Sequence, residues 1–302
     1  MAKLGIMIEG QEGLNWERWR KLCHDAESLG FHALRRSDHL FSVMGVEGRE
    51  CIDPWVSLGL AAEWTSRIRI GVMVSPLTFY EPGPLARAAA SVDQLSGGRL
   101  DFGVGAGWNE AEHLRHEVPF LTLKQRMDRL ENGIRVIRES WEKSASKPVQ
   151  SPMPILMGGT GERRALRIVA REAGEWNLSR LDADMFAQKS AVLDGYCREI
   201  GRDPREIRRS VMTTFILGRN QTELRERAAA LTGVLPRFAG LGPDEVLERA
   251  APGALVGTPE QVAARIRELQ SLGVELFMLQ HFLMDDTDAL RLLAEEVMPA
   301  VA

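Results

Sequence analysis

Short apolar runs of strand type alternate with longer helical patterns along the whole chain. The eight runs lie at residues 4–9, 31–38, 67–76, 99–107, 154–159, 175–180, 210–218 and 274–283. Each is followed by at least one helical pattern, and no Pro-, Gly- or Ser-rich linker separates the units. Such alternation predicts an α/β fold with a parallel sheet, and eight units favour a closed (β/α)₈ barrel over a doubly wound sheet. We therefore predict one TIM-barrel domain over residues 1–302.

The charge and the residue composition argue against several classes of function. The formal net charge is −4, so the chain lacks the basic excess of a nucleic-acid binder. The three cysteines lie far apart, and the six histidines show no spacing typical of a metal site. No signal-peptide pattern opens the chain, and no apolar run approaches the roughly 18 residues that span a bilayer. We expect a cytoplasmic protein without a metal, a nucleic-acid partner or a membrane anchor.

The stretch "RLDFGVGAGWNEAEH" (99–113) raises the question of a dinucleotide site. In the fingerprint G-x-G-x-x-G/A, Gly103 and Gly105 fill the first two positions, but the third falls on Trp108. The run is also the fourth strand rather than the first, and we expect no helix directly after it. At the end of a barrel strand, glycines instead let a flat ligand or another backbone come close, and Asn109 adds a donor and an acceptor. The alternative is a tight loop that only needs positive φ angles.

A second strand end, "RRSDHLF" (35–41), places a carboxylate beside an imidazole. A histidine near its free pKa suits proton transfer, and Asp38 could orient His39. The alternative is a loop histidine next to a helix-capping aspartate.

A third strand end carries an anion-binding pattern made of Gly158, Gly159, Thr160 and Gly161. These residues precede a helical pattern, so free backbone N–H groups and the helix dipole would face an anion there. The hydroxyl of Thr160 and the charge of Arg163 or Arg164 would add to the site. The lysine of a Walker loop is missing, which argues against a nucleoside-triphosphate P-loop. The alternative is a glycine-rich turn with solvated arginines.

Together these strand ends resemble the bacterial luciferase-like family of flavin and deazaflavin oxidoreductases. The similar segments are "SDHLF" (37–41) with the family's strand-two motif, 65–113 with its signature block, 154–177 with its phosphate-loop block and 256–280 with its C-terminal segment. The resemblance covers nearly the whole chain. It is greatest to the branch that uses coenzyme F420, an 8-hydroxy-5-deazaflavin, although FMN-dependent members share much of the pattern.

The resemblance implies a barrel that holds the tricyclic ring of its cofactor in the C-terminal mouth. Asp38 and His39 would lie near the reactive edge of the ring. The other implied contacts are a backbone bulge of Gly71, Val72 and Met73 behind the ring, Ser75, Ala106 and Asn109 along it, and Gly158, Gly159, Thr160 and Gly161 at the cofactor phosphate. A non-prolyl cis peptide bond, present in many relatives, maps to Val72–Met73.

The sequence departs from the family pattern in three places. Ala106 stands where the deazaflavin-dependent sugar-phosphate dehydrogenases carry a glutamic acid, which argues against that reaction. The segment 142–152 is short where many relatives insert a β-hairpin, so we expect part of the wall of the site to be absent. The stretch "FYEP" (79–82) lacks the basic residue that often precedes the proline, which argues against an anion contact there.

We interpret the chain as an F420-dependent oxidoreductase that passes a hydride to a small organic substrate. His39 is the candidate proton donor or ring-edge partner. The alternatives are an FMN-dependent monooxygenase and a flavin- or deazaflavin-binding protein without chemistry of its own. The resemblance also implies a homodimer formed through the early helices.

Overall fold

Eight parallel strands close into a barrel in this computed structural model, which describes residues 2–302. The strands of the sheet are β1 Lys3–Ile8, β2 Ala33–Arg36, β3 Arg69–Pro76, β4 Leu100–Gly105, β5 Ile155–Gly158, β6 Glu175–Leu178, β7 Arg208–Leu217, β8 Ala254–Gly257 and β9 Leu276–Gln280. The order around the barrel is β1-β2-β3-β4-β5-β6-β7-β9, and β9 pairs with β1 to close it. The predicted (β/α)₈ barrel is confirmed.

One short strand, β8, lies outside the ring of the barrel. β7 pairs with β6 through Arg208–Val211, and its last four residues, Thr214–Leu217, pair with β8. This strand was not predicted from the sequence, where residues 254–257 stand between two helical patterns. Since β8 pairs with the carboxyl end of β7, it extends the barrel wall at the mouth.

Helices follow the strands and surround the barrel. They are α1 Trp16–Ser28, α2 Pro54–Trp64, α3 Pro82–Leu95, α4 Glu110–Arg115, α5 Leu123–Lys143, α6 Ala165–Glu172, α7 Ala183–Glu199, α8 Gln221–Thr232, α9 Pro243–Ala250, α10 Pro259–Ser271, α11 Thr287–Leu292 and α12 Met298–Val301. The amphipathic pattern of residues 123–143 in the sequence predicts α5 with these bounds. α4 was not predicted, and the expectation that no helix follows the strand-four glycines is wrong. The side chain of Asn109 starts α4 by accepting the backbone N–H groups of Ala111 at 3.1 Å and Glu112 at 3.4 Å.

The hydrophobic core lies between the barrel wall and the helices. Side chains alternate along each strand, so Leu4, Ile6 and Ile8 of β1 belong to this outer core. Met7 points to the inside of the barrel, where it packs with a small cluster that includes Met278. The outer core fixes the strands, and the inner positions are left for polar and functional side chains.

The N-terminal end of the barrel is closed by a group of buried charges that we call the ionic plug. It consists of Arg35, Arg69, Asp101, Glu175 and Ser210. Arg35 donates to both carboxylate oxygens of Glu175, at 2.6 and 2.8 Å, and to Asp101 at 2.9 Å. Arg69 donates to Asp101 at 2.7 Å, and Ser210 to Glu175 at 2.6 Å. Burial raises the pKa of Asp101, but the two arginines outweigh it and hold that pKa below its ordinary value.

Candidate active site

A cavity of about 630 Å³ opens at the C-terminal end of the barrel, and we call it the mouth cavity. All eight barrel strands contribute to its wall, either from the strand itself or from the residues that follow it. The carboxyl ends of barrel strands are where TIM-barrel enzymes place their catalytic groups. Its volume lies within the range of small-molecule sites.

A larger open groove, of about 900 Å³, lies outside the mouth near α8 and residues 282–288. Its arginines are already neutralised by neighbouring carboxylates. Arg18 pairs with Asp285 at 2.8 Å, and Arg227 pairs with Asp286 at 2.7 Å. Because these charges satisfy one another on an exposed surface, we assign the candidate site to the mouth cavity.

His39 lines the mouth cavity and is held by Glu112, which lies 73 residues further along the chain in α4. The imidazole donates from Nδ1 to Oε2 of Glu112 at 2.7 Å, and Oε1 accepts the backbone N–H of Leu40 at 2.7 Å. Burial lowers the pKa of His39, but the hydrogen bond and charge of Glu112 outweigh it, so the pKa is raised above its ordinary value. Within residues 2–302 nothing hydrogen-bonds Nε2, which leaves this atom for a ligand.

Asp38 does not orient His39, so that expectation from the sequence is wrong. Its carboxylate accepts the hydroxyl of Ser75 and, at 3.1 Å, that of Tyr80. No hydrogen bond joins Asp38 to the imidazole, because Nδ1 of His39 already donates to Glu112. Asp38 is only 3% exposed, and burial raises its pKa to about 6, against the lowering effect of the two hydroxyls.

β3 bulges where it faces the mouth cavity, and the glycines of β4 make room for the bulge. The pairing of β3 with β4 shifts after Val72, and the cis peptide bond is Met73–Val74, one residue later than predicted. A Cβ at Gly103 would lie 2.4 Å from the backbone oxygen of Val72, and one at Gly105 would lie 2.8 Å from Cγ2 of Val74. Gly103 and Gly105 therefore leave space for the bulge of the neighbouring strand β3, and β3 forms the floor of the cavity.

The structure brings together most of the site residues predicted from the sequence. Those that line the mouth cavity are Asp38, His39, Met73, Ala106, Asn109, Gly158 and Gly159. Those that do not line it are Gly71, Val72, Ser75, Thr160 and Gly161. Ser75 is buried behind Asp38, where its hydroxyl also accepts Nε1–H of Trp55 at 3.2 Å, so it supports Asp38 instead of contacting a ligand.

The remaining residues outside the cavity have different surroundings. Gly71 packs against β4, since a Cβ there would lie 2.3 Å from the backbone oxygen of Asp101. Thr160 and Gly161 are exposed on the loop before α6, which begins at Ala165, whereas the pattern of residues 161–174 in the sequence predicts a helix from Gly161.

His113 presents an unpartnered polar atom to the mouth cavity. Its ring is buried between Phe79 and Phe120, with centroid distances of 4.4 and 5.0 Å. Nδ1 donates to the backbone oxygen of Asn109 at 2.6 Å, and Nε2 has no hydrogen-bond partner. Buried polar atoms are usually hydrogen-bonded, so this unpartnered nitrogen marks an unusual polar position beside the cavity.

Comparison with known proteins assigns the chain to a family. A family model described as luciferase-like monooxygenase matches residues 3–276. The chain belongs to this family. Two chains of known structure have a similar fold. Coenzyme F420-dependent tetrahydromethanopterin reductase from Methanopyrus kandleri gives a TM-score of 0.77 at 19% sequence identity, and the match covers 100% of this chain and 99% of the other. Monooxygenase RslO1 from Streptomyces bottropensis gives a TM-score of 0.83 at 22% sequence identity, and the match covers 99% of this chain and 100% of the other.

Curated relatives of this luciferase-like chain include users of both cofactor types. An uncharacterized protein of Mycobacterium tuberculosis is 34% identical over 150 residues, 44% of this chain and 52% of its own length, so the match spans about half of that relative. The F420-dependent hydroxymycolic acid dehydrogenase of the same organism is 28% identical over 80% of this chain and 69% of its own. The FMNH(2)-dependent dimethylsulfone monooxygenase of Pseudomonas putida is 24% identical over 86% of this chain and 81% of its own length.

Sequence reasoning missed several polar residues of this luciferase-like site, among them Glu112, Tyr80 and His113. The signal for Glu112 was present, because it stands three residues after the helix-capping Asn109, but nothing in the sequence connects it to His39. Within the described range, no group of three or more His, Cys, Asp or Glu side chains is placed to hold a metal. No helix of residues 2–302 is long and apolar enough to cross a membrane.

Proposed function

We propose that this luciferase-like chain is an F420-dependent oxidoreductase that transfers a hydride to a small organic acceptor. The observation that carries the proposal is His39, held by Glu112 with a raised pKa and with Nε2 free at the cavity wall. Reduction of a carbonyl or an activated alkene needs a hydride and a proton, and His39 is placed to hold the proton. The F420-dependent curated relative supports the choice of cofactor.

The residues of the mouth cavity fit a flat ring with a phosphate arm. Met73 and Val74 on the β3 bulge form an apolar surface, and Gly105 leaves the adjoining wall without a side chain. Gly158 and Gly159 expose backbone at the end of β5, and the carbonyl of Gly159 accepts Nε1–H of Trp176 at 2.9 Å, which orients this loop. These residues would hold the ring and the phosphate, respectively.

The chain itself would position the acceptor and supply the proton. When bound in its reduced form, the deazaflavin supplies a hydride. Glu112 favours the protonated imidazole of His39, and in that form Nε2 would carry a proton that can be donated into the cavity. The acceptor atom that gains the electron pair takes this proton. Met44, Phe79 and Phe282 line the cavity with apolar surface, which excludes water from the reacting groups.

A cofactor titration tests the proposal directly. The protein is titrated with F420 and with FMN, and binding is followed by fluorescence. We expect tight binding of F420, and tight FMN binding without F420 binding would overturn the choice of cofactor. Reduced F420 is then mixed with cyclohexenone or cyclohexanone, and its oxidation is followed. His39→Ala should bind F420 normally and lower the rate roughly 10²- to 10⁴-fold; full turnover in this variant would remove the proposed role of His39.

An FMN-dependent monooxygenase is the second candidate, favoured by the FMNH(2)-dependent curated relative. Deazaflavins react poorly with oxygen, so the two cofactors imply different reactions. The same titration separates them. Oxygen consumption with reduced FMN then identifies the monooxygenase.

Dimerisation stays a prediction. Val56 and Leu60 of α2, 57% and 36% exposed, are apolar side chains that an interface through the early helices would cover. A molar mass measurement by light scattering, with Leu60→Glu as the disrupting variant, tests it.

A further inference from the structure

A second cavity, of about 320 Å³, adjoins the mouth cavity, and we call it the side cavity. The two share part of their walls. The residues that line both are Ser179, Met212, Arg237 and Gln280. The two cavities are therefore adjacent, with these four residues between them.

The side cavity is lined by three arginines, Arg180, Arg237 and Arg249, and no carboxylate stands in its described lining. Arg237 and Arg249 form no ion pair with any residue of the range 2–302 (Arg237 stacks at 4.8 Å on the ring of Phe238). Arg180 has only a distant contact, 3.8 Å, with Asp182, and its side chain is 65% exposed. The arginines of the outer groove, by contrast, are paired with carboxylates.

Two guanidinium groups without a counterion repel each other. Arg237 and Arg249 are exposed residues; partial burial lowers the pKa of Arg237, and the charge of Arg249 lowers it further. An anion between these groups would remove the repulsion and accept charge-assisted hydrogen bonds from both. The hydroxyl of Ser179 forms no hydrogen bond within the described range and is a further donor.

The other hydroxyls of the side cavity are already used. Thr213 donates to the backbone oxygen of Gly253 at 3.2 Å, and Thr214 donates to Gln280 at 3.1 Å. The donors left for a ligand are therefore mainly cationic. The lining selects for negative charge rather than for a neutral polar group.

The side cavity lies across the barrel mouth from His39. In the ring of eight strands β6 stands opposite β2. Arg180 follows β6, and His39 follows β2. A molecule that reacts near His39 and extends across the mouth would bring its far end to the arginines.

We propose that the side cavity binds an acidic group, a carboxylate or a phosphate, carried by the substrate. Arg237 and Arg249 are the binding residues, with Ser179 as an additional donor. The assignment to substrate rests on the proposed oxidoreductase function. The same chemistry could be supplied by an acidic tail on the cofactor, so the experiment separates the two sources.

The first arm measures anion binding by the full chain without cofactor, with inorganic phosphate as the probe in a calorimetric titration. Arg237→Gln/Arg249→Gln should weaken the arginine-dependent binding roughly tenfold or more. Any phosphate bound at the glycine loop before α6 is retained in this variant and serves as an internal reference. The matched control is Arg198→Gln/Arg291→Gln, which removes two exposed helix arginines that form no ion pair in the described range, and it should bind phosphate as the unaltered chain does.

Arg237→Lys/Arg249→Lys keeps the charge and should retain part of the binding, and circular dichroism of each variant verifies the fold. Phosphate binding that is the same in the Gln variant as in the unaltered chain would overturn the site. This arm uses no cofactor, so its outcome is independent of the oxidoreductase proposal.

The second arm identifies the source of the acidic group. F420 and FMN are titrated into the Arg237→Gln/Arg249→Gln variant. If the group belongs to the substrate, both cofactors bind within about twofold of their affinity for the unaltered chain. Loss of F420 affinity by roughly tenfold, with FMN unaffected, would overturn the substrate assignment in favour of the acidic tail of the cofactor. Failure of both cofactors to bind either protein would instead contradict the proposed function and leave the anion site standing.

Discussion

The two ends of the barrel handle charge in opposite ways. In the ionic plug at the N-terminal end, Arg35 is fully buried and its guanidinium is satisfied by two carboxylates. At the C-terminal mouth, Nε2 of His113 has no hydrogen-bond partner and the guanidinium of Arg237 has no ion-pair partner in the described range, and the pKa of Asp38 is raised to about 6. Polar groups that are paired within the protein hold strands together, whereas groups without a protein partner are available to a ligand. The same strands thus carry stability at one end and chemistry at the other.

The largest effect should come from breaking the ionic plug. Arg35→Met leaves Asp101 and Glu175 buried without their main partner, which should lower the free energy of unfolding by about 3–5 kcal/mol. Urea denaturation measures it. Arg87→Met, on the exposed face of α3, is the control and should change stability by less than about 0.5 kcal/mol. A loss below about 1 kcal/mol in Arg35→Met would mean that the plug is not a stabilising element.

At the mouth, ionisation of the buried carboxyl group of Asp38 should lower the free energy of unfolding. Its pKa is raised from 3.8 to about 6, so the favourable contribution is complete below pH 3.8 and is lost as the pH rises through about 6. The shift corresponds to at most about 3 kcal/mol. Asp38→Asn should therefore flatten the stability profile between pH 4 and 6 and leave the chain at least as stable at pH 7.

Urea denaturation across this pH range measures the effect, with Asp184→Asn in α7 as the control. A profile that keeps its slope in Asp38→Asn would show that the slope has another origin.

The floor of the mouth should tolerate little added volume. Gly103→Ala places a Cβ against the backbone oxygen of Val72 and the side chain of Val74, which should cost about 1–3 kcal/mol of stability. Gly59→Ala in α2 meets no atom within 4 Å and should stabilise the chain by up to about 1 kcal/mol. Equal effects of the two substitutions would contradict the role of Gly103 in accommodating the bulge.

Glu112→Gln should change stability least among these variants, but it should change the pKa of His39. The charge of Glu112 raises the pKa of His39 while burial lowers it, so removal of that charge should bring the pKa of His39 below its ordinary value. Nuclear magnetic resonance titration of the imidazole measures it, and Glu110→Gln on the same helix is the control. An unchanged pKa would show that Glu112 only holds the geometry of His39.

Much of the candidate site could be predicted because it depends on strand ends. Asp38, His39, Ala106 and Gly158 directly follow or end apolar runs, and the carboxyl ends of parallel strands meet at one face of a barrel. The cis peptide bond was misplaced by one residue, since it depends on how β3 and β4 pair. Helix α4 was missed because its six residues are too few to show a helical period.

The sequence by itself determined the alternation of strands and helices, and with it the barrel and the face on which His39 lies. Periodicity is a property of neighbouring residues, so it can be read along the chain. Only the tertiary structure decided that Glu112 rather than Asp38 holds the imidazole and that Arg237 and Arg249 have no counterion. Whether a charge is paired depends on which distant segments the fold brings within a few ångströms, and no local pattern in the chain encodes it.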